Sequence, residues 1–448
     1  MRSLDVTSTR KGQSQICERS AKQMARALCA ASSATVAGAL IFALLFAVGL
    51  PVNAQTLTTL YSFKGGSDGD APNGGLALDA QGNLYGSTYG GGTPHKNPAY
   101  GTVFEVSASG AETVLYSFQR AKNGKSPGGA NPNGSLVRDS QGNLYGTTQR
   151  GGANFNAGAL FEVSRSGAET VLHSFSAHRP SKKRPADGSA PLAGVIFDGQ
   201  SNLYGATSFG GNYNCEDDPY GCGAIFEVTA SGVETLLYEF NGGTDGFSPR
   251  GPLIFDQEGN LYGTTLWGGN SNCGYGCGVI FKLAPSGAET VLYRFTGGAD
   301  GGSPNGGLLL DGEGNLYGTA GGGNPNCTGG CGVVFKLSPP GTETVSYSFT
   351  GGADGEYPYG GLVSDGWGNL YGVTAAGGIV NSNCRTYPGC GVVFELSPSG
   401  TETVLYSFTG GADGKNPAGP LVFDGQGNLY GTAGGGAYGK GTVFKLTP

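Results

Sequence analysis

The chain has 448 residues, of which 87 are glycine and 23 proline; only 13% are charged and the formal net charge is −7. An acidic chain without clustered lysine and arginine is no nucleic-acid binder, and this glycine content excludes a long helical bundle. With 22 tyrosines and 22 phenylalanines, it predicts short strands joined by tight turns.

Residues 1–54 read as an address rather than as fold. Arg2, Arg10, Lys11, Arg19, Lys22 and Arg26 face only Asp5 and Glu18, and an apolar run follows from Thr35 to Leu50. Small residues at Val52 and Ala54 then offer cleavage before Gln55. A basic start, a short apolar run and an A-x-A-like site describe a secretion signal, with retention as an uncleaved anchor the competing reading. Cys29 precedes the apolar run and does not read as a lipoprotein cysteine. Removing six basic and two acidic residues leaves 20 against 31, near −11, which disfavours anionic partners. No second long apolar run exists, so the mature chain should not span a membrane.

From residue 55 onward the chain repeats. The string GNLYG, with Ser201 replacing its first glycine once, recurs with its Asn at 83, 143, 202, 260, 315, 369 and 428. Each copy runs GGLVxD, GNLYGTT, GTVFKL, ETVLYSF, and copies begin near 74, 134, 193, 251, 306, 360 and 419. Each run is rich in Val, Leu, Phe, Tyr and Thr and is bounded by Gly, Pro, Ser and Asn, which is strand and turn chemistry. Four antiparallel strands per copy predict a propeller blade. The last copy stops at Thr447-Pro448 without its fourth strand, while Leu57–Phe63, LTTLYSF, is a spare one. The expectation is an all-β, seven-bladed β-propeller over 55–448, closed by strand donation from the N-terminal strand. Alternation places Val404, Tyr406 and Phe408 on one face of their strand and Thr403, Leu405 and Ser407 on the other. The recurring Tyr85, Tyr145, Tyr204, Tyr262, Tyr317, Tyr371 and Tyr430 read as inter-blade core rather than as a sugar-binding row.

Outside the signal, which takes Cys17 and Cys29, the cysteines form neighbouring pairs: Cys215 with Cys222, Cys273 with Cys277, Cys327 with Cys331, Cys384 with Cys390. An even count, local pairing and an export signal predict disulfides. C-x-x-x-C has no nearby histidine or third cysteine to make it a metal or redox site.

Loops between the second and third strands should share a face with the inter-blade connections, and binding should be sought there. Each connection carries an Asp-Gly: Asp68, Asp187, Asp245, Asp300, Asp354 and Asp413, with Asn123 in the second copy. Asp245, Asp300, Asp354 and Asp413 are candidate binding residues, against the plainer reading that Asp-Gly makes a turn. No catalytic, metal or cofactor motif appears. His95, His173 and His178 share no repeat position; His173 stands where other copies carry the Tyr of YSF, and the insertion Pro180–Pro185 is basic, a solvated loop or a docking patch.

The runs YSFxGGxDGxxPxGGLVxDxxGNLYGTT and GVVFKLSPSGTETVLYSF resemble the tandem Gloeo/Verruco (GloVer) repeats over about residues 57–448. The resemblance implies an exported bacterial protein and transfers no catalytic residue. Anchored members carry a sorting tail; ending at Pro448 implies release or periplasmic residence. The expected function is a monomeric, non-enzymatic scaffold that binds a glycan or an extracellular protein through its loop-rich face, without a cofactor. The alternatives are a polysaccharide hydrolase or lyase using loop carboxylates, and a structural envelope component.

Overall fold

A computed structural model describes residues 55–93, 100–119, 126–153, 156–176, 187–213, 215, 219–324, 327, 330–384 and 389–447. The proposed signal, His95, Asn123, His178 and the basic insertion lie outside these residues. The fold is a seven-bladed β-propeller. In blade 5, for example, Leu309–Leu310, Leu316–Ala320, Val333–Ser338 and Thr342–Ser348 pair in chain order as four antiparallel strands. Blade 7 takes three strands from Val422–Phe423, Leu429–Ala433 and Thr442–Thr447, and its fourth from Thr56–Ser62. That donated strand runs antiparallel to the last, with Thr56 opposite Thr447 and Ser62 opposite Thr442. The ring therefore closes as the orphan LTTLYSF predicts.

The hairpin between first and second strands is set by its aspartate. Asp311 Oδ1 accepts the backbone N–H of Glu313 and Asn315, and Oδ2 accepts from Asn315 Nδ2 and the Tyr317 hydroxyl. The same four bonds recur in every blade, for instance at Asp79 and Asp424. They outweigh desolvation and hold these carboxyls below the usual range. The turn needs a left-handed residue, so six copies use Gly at φ 81–93° and the third strains Ser201 to 67°.

The core lies between blades, as seven clusters for seven seams. At each seam the Phe ending one fourth strand meets edge-on the Phe of the next blade's third strand. Phe295–Phe335, Phe408–Phe444 and the closing pair Phe63–Phe104 have ring centroids 5.0–5.3 Å apart. Aromatic pairs in this geometry add about 0.5–1.5 kcal/mol to the area they bury. The third-strand Phe lies across the Gly of LYG on the second strand. A Cβ at Gly318 would come within 2.6 Å of Phe335 Cζ, and the six other blades leave equally little room.

One expectation is corrected here. Val404, Tyr406 and Phe408 do not share a face, because a β-bulge falls at Leu405: Val404 opposes Phe394 while Tyr406 opposes the adjacent Val393. Val404 thus packs toward blade 5 and Tyr406 with Phe408 toward blade 7. The recurring tyrosines of GNLYG do pack at the seams: Tyr145 meets Phe197 and Tyr371 meets Phe423 of the next blade edge-on. Their hydroxyls are satisfied by the turn aspartates, the bond the sequence did not announce.

Candidate functional site

Each first strand is preceded by a Pro-x-Gly arm (Pro191-Leu192-Ala193 in the third blade), and the seven arms converge on the ring's centre. The residue before each proline adopts left-handed φ: Ala71, Asn131, Ala190, Ser248, Ser303, Tyr357 and Asn416 lie between 50° and 59°. Outside glycine this conformation costs of order 1–2 kcal/mol. What holds it is a backbone bond across the seam. The Ser248, Ser303, Tyr357 and Asn416 N–H groups donate to the carbonyls of Cys222, Cys277, Cys331 and Cys390 at 2.6–2.9 Å. Those acceptors are the second cysteines of the four disulfides.

All four expected disulfides form, with Cα separations of 5.6, 5.2, 5.6 and 5.1 Å in chain order. They fit an oxidising, extracytoplasmic compartment. Closing loops this short stabilises by about 2 kcal/mol on the chain-entropy account. The paired variant Cys273→Ser/Cys277→Ser should lose that much in denaturant unfolding yet still melt as one folded ring. Loss of the folded ring altogether would contradict a role confined to bracing the arm.

Where the arms meet they enclose a cavity of about 480 Å³. Backbones approach closely at its wall: a Cβ on Gly419 would lie 2.8 Å from the Gly74 carbonyl carbon, and Thr432 donates to the Gly74 carbonyl at 3.1 Å. The residue after the proline varies most: Asn73, Asn133, Leu192, Arg250, Asn305, Tyr359 and Ala418. Asn73 Nδ2 reaches Asn133 Oδ1 at 3.5 Å. Arg250 lies over the Trp267 ring at 5.2 Å, and burial lowers its pKa. Tyr359 stacks on Tyr357 at 5.8 Å and is 41% exposed. No carboxylate or histidine lines the cavity among the described residues. Because the first strands leave this region for the short hairpin turns, the cavity lies on the opposite, loop-rich face. Tyr220, Tyr275 and Tyr438 are exposed in loops of that same face.

The four candidate aspartates sit elsewhere, one per connection. Asp300 accepts the Tyr293 hydroxyl at 2.9 Å, the Thr296 N–H at 2.7 Å and the Thr296 hydroxyl. Asp354 and Asp413 accept the same three donors, from Tyr347 with Thr350 and from Tyr406 with Thr409. Asp245 accepts from Tyr238 and from both nitrogens of Asn241. Each carboxylate is bound inside its own turn, so a ligand there would have to displace these donors. The ring does not bring the four together.

The mouth residues escaped sequence reasoning because they occupy a single changing position inside a constant run. The signal was there: the residue after the proline changes from blade to blade, while the glycine beyond it is kept in every blade but the third, which has Ala193.

Comparison with known proteins shows the fold. The extracellular domain of a proposed hybrid two-component system from B. thetaiotaomicron matches at TM-score 0.50 and 11% identity, covering 87% of this chain and 39% of that one. A proposed gluconolactonase matches at 0.39 and 12%, covering 88% and 91%, and a luciferin-regenerating enzyme at 0.40 and 12%, covering 88% and 95%. None of the curated proteins matches. The repeat itself is recognised over residues 44–214, 181–386 and 330–448, so the chain belongs to the Gloeobacter/Verrucomicrobia repeat family.

Proposed function

We propose that this protein is an exported, non-enzymatic scaffold that binds a glycan in the central mouth of its loop-rich face. The observation that carries the reading is the make-up of that mouth. Three amides (Asn73, Asn133, Asn305), one guanidinium (Arg250) and an exposed phenol (Tyr359) surround one concave space. Amides pair with sugar hydroxyls through both donor and acceptor, and an aromatic ring offers its face to a pyranose. Among the described residues, the wall carries no pair of carboxyl groups to act as acid and base. Asymmetry supports a site too: the blades are near-copies, and a single ligand is best read where they differ. Export is supported by the four disulfides and by the basic-then-apolar sequence of residues 1–54.

Calorimetric titration with a panel of soluble polysaccharides, with product analysis alongside, tests this. Saturable binding without new reducing ends is expected, weakened roughly ten- to a hundredfold, or about 1.4–2.8 kcal/mol, by either Tyr359→Ala or Arg250→Ala. Release of oligosaccharide would favour the enzyme instead. Binding that neither variant weakens, with unchanged melting, would move the site away from the mouth.

A further inference from the structure

At five seams the same three positions meet: an aromatic of one fourth strand, the Asp of the following connection, and the Glu that opens the next fourth strand. Seam 4–5 shows the pattern, with Tyr293 donating to Asp300 at 2.9 Å and Glu343 of blade 5 beside them. Tyr61 with Asp68 and Glu112, Tyr238 with Asp245 and Glu289, and Tyr347 with Asp354 and Glu402 repeat it. Seam 2–3 departs from it: His173 replaces the tyrosine, beside Asp187 and Glu234.

The substitution empties a hydrogen bond. The imidazole, held edge-on by Phe175 with centroids 4.8 Å apart, does not reach Asp187 as tyrosine reaches its aspartate elsewhere. His173 Nε2 and Asp187 Oδ1 stand 3.5 Å apart. His173 Nε2, Asp187 Oδ1 and Glu234 Oε1 are all shielded from solvent and lack hydrogen-bond partners. Each of the three residues offers a ligand atom within 4.8 Å of the other two, and shielded polar atoms without partners are costly to bury. In tetrahedral coordination with bonds of about 2.0–2.2 Å, neighbouring ligand atoms lie roughly 3.3–3.6 Å apart. The His173–Asp187 spacing of 3.5 Å already has that value, and Glu234 offers an oxygen within 4.8 Å.

We infer that His173, Asp187 and Glu234 form a divalent-metal site at the seam between blades 2 and 3, suited to a borderline cation of the zinc type. One imidazole and two carboxylates are the nitrogen–oxygen set such ions take, and three protein ligands leave a fourth position for water. The ion would tie blade 2, its connection and blade 3 together at one point. It lies apart from the central mouth, so it stands or falls independently of the glycan reading.

The test titrates Zn²⁺ into the full chain, first stripped with chelator, following heat and melting temperature. One equivalent is expected to bind with a rise in melting temperature. His173→Tyr installs the residue the other seams use, so it should fold and lose that equivalent. Tyr293→His, which recreates the cluster with Asp300 and Glu343, should gain a second. Asp187→Asn checks the loss from another ligand. No Zn²⁺ binding, or binding that His173→Tyr and Asp187→Asn leave intact, overturns the site.

Discussion

A chain that starts at Lys64 instead of Gln55 should lose its single cooperative melt and elute as self-associated material rather than as a monomer. The truncation removes the fourth strand of blade 7 and with it every pairing from Thr56–Thr447 to Ser62–Thr442. It also deletes Phe63, fully buried against Phe104, and Tyr61, whose hydroxyl bonds Asp68. Phe63→Ala alone should cost about 3–5 kcal/mol, a large part of what a domain has to spare. The truncated ring would further expose Thr442–Thr447 as an unpaired edge, a template for other chains. A synthetic peptide of residues 55–63 should restore monomer and melt, because it supplies the same strand in trans. A truncated chain that stays monomeric and melts as before would disprove closure as the source of stability.

The ring was legible because each of its strands announces itself twice, by β-branched and aromatic residues and by recurrence. LTTLYSF could be assigned to blade 7 since it copies the tail of ETVLYSF and finds the one blade lacking it. Side-chain partners across a seam were not legible. Nothing in the sequence pairs Phe295 with Phe335, 40 positions on, because both look like ordinary strand residues until blades stack. The bulge at Leu405 was equally hidden, for alternation counting assumes a regular pleat. Asp-Gly in the connections read two ways because a carboxylate's role depends on which donors reach it, and Tyr293 reaches Asp300 from the preceding strand. His173 was visible as a departure from the repeat, but Asp187 and Glu234 lie 14 and 61 residues on, brought in by the connection and by the next blade. The mouth was missed for a different reason. Repetition draws the eye to constant positions, whereas a ring with one ligand must differentiate the positions that face it.

Stability should fall as pH rises from 5 to 8, contrary to the usual behaviour of carboxylates. Glu112, Glu289, Glu343 and Glu402 are each pushed up to about 7, first by burial and then by the neighbouring Asp68, Asp245, Asp300 and Asp354. One oxygen of each, Oε1, is shielded and unpartnered, so ionisation in place is opposed. The ordinary value is 4.5, and a raised pKa means the folded state holds the proton through the window from 4.5 to about 7. Linkage then makes the native state most favoured below 4.5 on this account and progressively less so as pH climbs through 7. These side chains are only partly buried, so screening leaves roughly 1 kcal/mol apiece, several kcal/mol for the four together. Chemical denaturation at pH 5 and pH 8 reads the difference directly. Glu343→Gln, which keeps the shape beside Tyr293 and Asp300 but cannot ionise, should remove about a quarter of the slope and raise stability at pH 8. Equal stability at both pH values, or a slope that Glu343→Gln leaves whole, would show that the seam carboxyls ionise freely in the closed ring.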